Sequence, residues 1–181
     1  MVKQSTGLLT DYLRSRRILA ILPYLKGRIL DFGCGTGALS QFVAPDNYVG
    51  VDPDRESIEI ARKSYRNHRF YATAEIENLG KFDFVVALAV IEHLDDPKSF
   101  LRDLRSFMKP SGKLILTTPS GKALWIHTLG SKMGLFSRTA ADQHKKAVRF
   151  EEIQKISRGC GLNVEFYGRF LLGLNQLIVL K

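Results

Sequence analysis

Three glycines, Gly33, Gly35 and Gly37, stand directly behind the apolar run ILDF (29–32), and that run carries a carboxylate, Asp31, just before its end. A second carboxylate, Asp52, closes the next apolar run, YVGVD (48–52). The pattern Gly33-x-Gly35-x-x-Ala38 suits a loop whose backbone N–H groups come close to a nucleotide-like ligand, and an acid at the end of the following strand can grip a ribose diol. A loop that needed glycine only for a tight turn would explain the glycines but not the paired acids.

Charge separates the candidate ligands. A dinucleotide pyrophosphate is doubly anionic, and a carboxylate several Å away repels it by roughly 1–4 kcal/mol at surface dielectrics. S-adenosylmethionine has no phosphate; it carries an ammonium, a sulfonium and one carboxylate. The loop N–H groups and the following helix start can serve that carboxylate, and Asp31 can serve the ammonium directly or through water. The loop therefore suits S-adenosylmethionine better than NAD.

Other reactive side chains carry weaker patterns. Glu92-His93 follows an apolar run at the expected rim of the site, where His93 reads first as a histidine that ties down its loop and second as a candidate base. His144, with Asp142 beside it, falls in a lid-like region and is a second candidate. His68 and His127 belong to no motif. Cys34 lies inside the glycine loop and reads as a residue small enough to fit; Cys160 stands alone, and neither is in a CxxC pair. No spacing of His, Cys, Asp or Glu suggests a metal site.

These residues must be positioned by an alternation of strands and helices. Leu8, Leu9, Tyr12, Leu13, Leu19 and Leu22 recur at roughly helical spacing, predicting a helix over 6–23 that ends at Pro23. Strands are expected at 28–32, 48–52, 69–73, 82–90 and 113–119, with two closing strands at 162–168 and 175–181. Helices are expected after the glycines to about Val43, over 54–67 with Asp54 as N-cap, from Asp96-Pro97 to the Lys109–Gly112 turn, and over 149–161. The continuous apolar run FDFVVALAV (82–90) fits a strand covered on both faces. Such alternation means an α/β fold with a mostly parallel sheet, whose ligands sit at the carboxyl ends of the strands where strand order reverses.

With 181 residues the chain is expected to be one domain, 1–181. The hydrophobic share of 45% fits an ordinary globular core. The net charge of +9 suits anionic partners or simply a well-solvated surface. The N-terminal stretch is broken by Asp11, Arg14, Arg16 and Arg17 and does not read as a signal peptide, and the run Phe84 to Ile91 is far too short to span a bilayer. A cytoplasmic location is expected. Residues 120–147 form a long connection expected to be a lid. Its stretch ALWIHTLGSKMGLF (123–136) and the five Lys/Arg within 132–149 are compatible with a core helix, a soluble lid, an amphiphilic acceptor or a peripheral membrane contact.

Taken together, DFGCGTG (31–37), VGVDPDRESIEIARK (49–63), the block 82–120 and the block 143–164 resemble class I S-adenosylmethionine-dependent methyltransferases. They are most similar to the methyltransferase type 11 group that includes ubiquinone-biosynthesis O-methyltransferases. The resemblance implies a three-layer, Rossmann-like α/β fold with a seven-stranded sheet in the order 3-2-1-4-5-7-6, strand seven antiparallel, and helices on both faces. It also implies roles. Asp31, Gly33, Cys34, Gly35 and Gly37 would surround the methionine portion of the cofactor, Asp52 the ribose, Pro53 the adenine ring, and Thr73, Ala74 and Glu75 the adenine amine. Ala87 and Leu88 would approach the methionyl group. Thr73 departs from the family's aspartate there, and a hydroxyl accepts that hydrogen bond more weakly. The expected reaction is in-line methyl transfer to a small or lipid-like acceptor, leaving S-adenosyl-L-homocysteine. Two alternatives remain at this level. One is an RNA methyltransferase, prompted by the basic charge but lacking basic residues interleaved with aromatics; the other is a non-catalytic partner protein of the same fold.

Overall fold

The computed structural model describes residues 8–76, 79–121 and 149–181. The start of the expected first helix, nearly all of the expected lid, and His144 lie outside them. A helix, α1 (Leu8–Ile21), is followed by strands β1 (Ile29–Phe32) and β2 (Tyr48–Asp52) and helix α2 (Arg55–Ser64). Then come β3 (Arg69–Ala72), β4 (Phe82–Leu88), α3 (Pro97–Ser106), β5 (Met108–Pro119), α4 (Phe150–Gly159), β6 (Val164–Phe170) and β7 (Asn175–Leu180).

All seven strands form one sheet in the order β3-β2-β1-β4-β5-β7-β6. The first five pair in parallel, and β7 runs antiparallel to both β5 and β6. Strand β1 is hydrogen-bonded to β2 on one side and β4 on the other, so the chain reverses its direction of travel across the sheet there. The crevice above that reversal is where an open α/β sheet presents its ligand site.

Each face of the sheet is covered. Ile18 and Ile21 of α1 and Ile58 and Ala61 of α2 pack with Ile29, Tyr48, Phe70, Val86 and Ile115 on one side. Leu101 and Leu104 of α3 and Ile153 of α4 pack with Leu30, Val85, Leu114 and Ile178 on the other. Leu101 and Leu104 are fully buried, three apart on the α3 face that meets the sheet, and each contributes about 1.5–3 kcal/mol by leaving water. Caps fix where the helices begin. The Asp54 carboxylate accepts from Glu56 N and Ser57 N at the start of α2, and Asp96 accepts from Ser99 N ahead of Pro97 at the start of α3.

Several expected elements differ in detail. The segment after the glycines is a five-residue 3-10 helix, Ala38–Phe42, rather than a full helix. Gly37, at φ 83°, delays its start, and Pro45 follows within three residues of its end. Strand β4 stops at Leu88, two residues early, because Ala89 takes φ 57° and turns the chain. The Lys109–Gly112 turn does not precede β5 but lies inside it, as an irregularity where the pairing jumps from Phe82↔Met108 to Phe84↔Lys113.

Candidate active site

The glycine loop is folded back over the end of β2. Gly33 N and Cys34 N both donate to Val51 O, at 2.7 and 3.1 Å. Gly33, Gly35 and Gly37 all have positive φ, at 80°, 52° and 83°. A Cβ on Gly33 would sit 2.5 Å from Cγ2 of Val90, and one on Gly37 would sit 2.7 Å from the Phe70 ring. Glycine is thus required at both positions twice over, by backbone conformation and by space.

Asp52 does more than close β2. Its Oδ2 accepts from Gly35 N at 2.8 Å and its Oδ1 from Asp54 N at 2.9 Å. The carboxylate therefore staples the glycine loop to the start of α2. Each oxygen keeps a lone pair for a further donor. Pro53, next to it, is exposed at the rim.

Asp31 is almost fully buried, and its Oδ2 accepts a 2.7 Å hydrogen bond from the Tyr48 hydroxyl. Burial pushes its carboxyl up to about 7, against the pull of the Tyr48 bond and with a further push from Asp52. Burial and the two nearby carboxylates hold the Cys34 thiol far above its usual range, so this cysteine is a neutral, inert space-filler. Gly50 makes room for it: a Cβ there would stand 3.0 Å from Cys34 Sγ and 2.6 Å from Phe70.

At the end of β3, the Thr73 hydroxyl is buried without a hydrogen-bond partner among the described residues, while Ala74 is exposed. Glu75 Oε2 accepts from Ala72 N at 2.9 Å and pairs with Arg62 at 2.8 Å, and these bonds hold the Glu75 carboxyl below its ordinary value. Ala87 is buried within the sheet and Leu88 half-buried at its upper edge.

Beyond β4, a short 3-10 turn carries Ile91–His93. His93, the candidate base, has an exposed side chain, whereas its neighbour Glu92 is only 4% exposed. Neither Glu92 oxygen is well hydrogen-bonded among the described residues; the Thr118 hydroxyl lies alongside and helps hold its carboxyl down. Burial raises the Glu92 carboxyl; His93 and Arg17 oppose that shift. The polar face that Glu92 offers was hidden in sequence by the more conspicuous histidine next to it. Among the described residues no three His, Cys, Asp or Glu side chains form a metal cluster.

Asp31, Asp52, the glycine loop and Thr73 thus lie at or just past the carboxyl ends of the adjacent strands β1, β2 and β3, beside the β1/β4 reversal. Two carboxylates stand at these strand ends, which disfavours a pyrophosphate there. The family model of a methyltransferase domain matches residues 9–165. The chain belongs to that methyltransferase family. A ubiquinone biosynthesis O-methyltransferase of Pseudomonas aeruginosa (strain UCBPP-PA14) is 32% identical over 153 residues, 76% of this chain and 65% of that protein. One from Coxiella burnetii (strain Dugway 5J108-111) is 33% identical over 104 residues, 52% of this chain and 44% of that protein. The chain thus spans less than two thirds of the length of these curated relatives.

Among solved structures, magnesium protoporphyrin IX methyltransferase from Synechocystis PCC 6803 with bound S-adenosylhomocysteine superposes with a TM-score of 0.72 at 20% identity, covering 99% of this chain and 89% of that one. An S-adenosylmethionine-dependent methyltransferase from Clostridium acetobutylicum ATCC 824 gives 0.70 at 16% identity, over 96% and 94%. These two likenesses establish the methyltransferase version of the Rossmann-like fold expected from sequence. Among the described residues no helix is long and apolar enough to cross a membrane.

Proposed function

We propose that the chain is an S-adenosylmethionine-dependent methyltransferase that transfers a methyl group to a small-molecule or lipid-like acceptor. The observation that carries the cofactor assignment is the buried Asp31 carboxylate beneath the glycine loop, a place where a phosphate would be repelled and an ammonium welcomed. The orphan Thr73 hydroxyl is a second fit, since a buried unpartnered acceptor suits the adenine amine. The O-methyltransferase names of the relatives support a hydroxyl-bearing acceptor.

When bound, the cofactor supplies an already activated methyl on a sulfonium. The chain's own work is to bind, orient and exclude water. Asp31 receives the ammonium; the N–H groups of Gly33, Cys34, Gly35 and Gly37 are already spent on Val51 O, Asp52 Oδ2 and Cys34 O, so these four amides shape the loop rather than bind the cofactor carboxylate. Asp52 holds the ribose hydroxyls while keeping the loop in register through Gly35. Pro53 covers the adenine at the rim. Glu92 and His93 stand past β4, on the side where an acceptor approaches, and Glu92 is the buried acceptor of a proton or hydrogen bond there. His93 and His144 keep their place as candidate bases.

Calorimetry with S-adenosyl-L-homocysteine tests this reading directly. Saturable one-to-one binding with no heat from NAD is the expected result. Binding of NAD in place of the homocysteine derivative would overturn it.

A further inference from the structure

We propose that Tyr48 is a positioning residue for the cofactor: its hydroxyl holds Oδ2 of Asp31 in the closed core, presents Oδ1 to the ligand's ammonium, and so couples cofactor binding to release of a proton from Asp31. The proposal rests on the cofactor reading above.

The geometry is specific. Tyr48 opens β2, and its ring is completely buried against Phe70 and His68, at centroid distances of 5.6 Å each. Gly50 stands opposite Asp31 in the β1/β2 register and adds no side chain between them. The hydroxyl therefore reaches past β2 to Asp31 at 2.7 Å. Tyr48 is the one side chain among the described residues that donates to Asp31. The aromatic packing fixes the ring, and the ring fixes the carboxylate rotamer.

The charges around Asp31 favour its protonated form while the ammonium is absent. From β2 it faces Tyr48 and Asp52, and from the glycine loop Cys34. The connection from α2 to β3 contributes Tyr65 and His68 behind the Tyr48 ring, with His68 Nε2 held 2.9 Å from Val43 O. From β4 the facing residue is Val86, which is apolar. Among the described residues no lysine or arginine pairs with it, and its charged neighbour is another acid, Asp52. A ligand ammonium is the missing positive partner, and its arrival draws the carboxyl to its ionised form. The group then gives up its proton to solvent. Tyr48 cannot itself take that proton or ionise near neutrality, because burial and the Asp31 charge push its own hydroxyl well up.

Calorimetric titration of S-adenosyl-L-homocysteine, in phosphate and in Tris at each of several pH values, reads the proton count from the dependence of heat on buffer. Wild type is expected to release about half a proton more than Asp31→Asn at about pH 7, and the difference is expected to vanish near pH 9. Tyr48→Phe removes a bond that favours the ionised carboxyl, so its release curve moves to higher pH and its affinity at neutrality drops several-fold. An infrared titration of the free protein follows the protonated-carboxyl band, with Asp31→Asn as the blank. This second measurement needs no ligand, so it separates the two ideas: absence of binding strikes the cofactor reading, while a Tyr48→Phe band that titrates like wild type overturns the role of Tyr48. Equal proton counts for wild type and Asp31→Asn would overturn the coupling.

Discussion

Arg17 on α1 donates from Nε to Oδ1 of Asn175, the first residue of β7, at 3.0 Å. This bond draws α1 over the upper edge of the sheet, next to the buried Glu92. Burial lowers the Arg17 guanidinium from its ordinary value, and Glu92 counters that shift. The two side chains are thus mutual counter-charges without direct contact.

Replacing Arg17 by methionine keeps most of the apolar stem but leaves Asn175 and Glu92 uncompensated. A stability loss of about 1–3 kcal/mol is expected near neutral pH, by chemical denaturation. The loss should shrink in acid. Burial raises the Glu92 carboxyl in the folded chain, so its proton stabilises the fold below the unfolded value, and that contribution is lost as pH rises through the folded one. Arg17→Met combined with Glu92→Gln should recover most of the loss. An undiminished penalty at acid pH would show that Arg17 acts through Asn175 alone.

Asp31 makes a prediction of the same kind with clearer limits. Its folded carboxyl lies at about 7 against an ordinary 3.8, so the free folded protein holds this proton more tightly than the unfolded chain. Stability from that proton is complete below about 4 and lost as pH rises to about 7. Asp31→Asn keeps an acceptor for Tyr48 without the charge. In the absence of ligand it is expected to be more stable than wild type above neutrality, on the order of 2–4 kcal/mol, and to bind S-adenosyl-L-homocysteine more weakly. Equal denaturation midpoints for the two proteins at about pH 8 would contradict the burial argument.

Much of this site was legible because its signals are local. The glycines, Asp31 and Asp52 sit at strand ends set by short apolar runs, and a parallel α/β order brings those ends together. What was not legible depends on register and orientation. Tyr48 meets Asp31 only because β1 and β2 align Asp31 with Gly50, placing a residue two positions earlier on the same face. Whether Glu92 or His93 points inward is decided by a three-residue turn that has no period to read. Glu75, expected beside the adenine amine, bonds through Oε2 to the Ala72 N–H and to Arg62, the latter a pairing across thirteen residues. The helix expected after the glycines shortened because Gly37 and Pro45 leave room for little more than one turn.

Asp52 has a double role and so a double signature. Asp52→Ala removes the proposed ribose contact and also the acceptor of Gly35 N and Asp54 N. Cofactor affinity is expected to fall by roughly 1–3 kcal/mol and unfolding stability by about 1–2 kcal/mol, measured by calorimetry and denaturation respectively. Affinity loss without any stability loss would mean that the loop holds its shape without the staple.

Gly33 and Gly173 separate conformational strain from collision. Both have positive φ, 80° and 84°, so alanine at either is strained by about 1–2 kcal/mol. At Gly173 a new Cβ meets nothing within 4 Å, and Gly173→Ala should lose that much stability with cofactor affinity unchanged. At Gly33 the new Cβ would stand 2.5 Å from Val90 Cγ2, so either the loop or the turn after β4 must move. That collision lies between two elements of the proposed cofactor site, the glycine loop, which Gly33 N anchors to Val51 O, and the turn after β4. Gly33→Ala is therefore expected to lose at least tenfold in affinity for S-adenosyl-L-homocysteine beyond its stability loss. A variant that binds as tightly as Gly173→Ala would show that Val90 gives way freely, and that the loop's closeness to β4 does not shape the site.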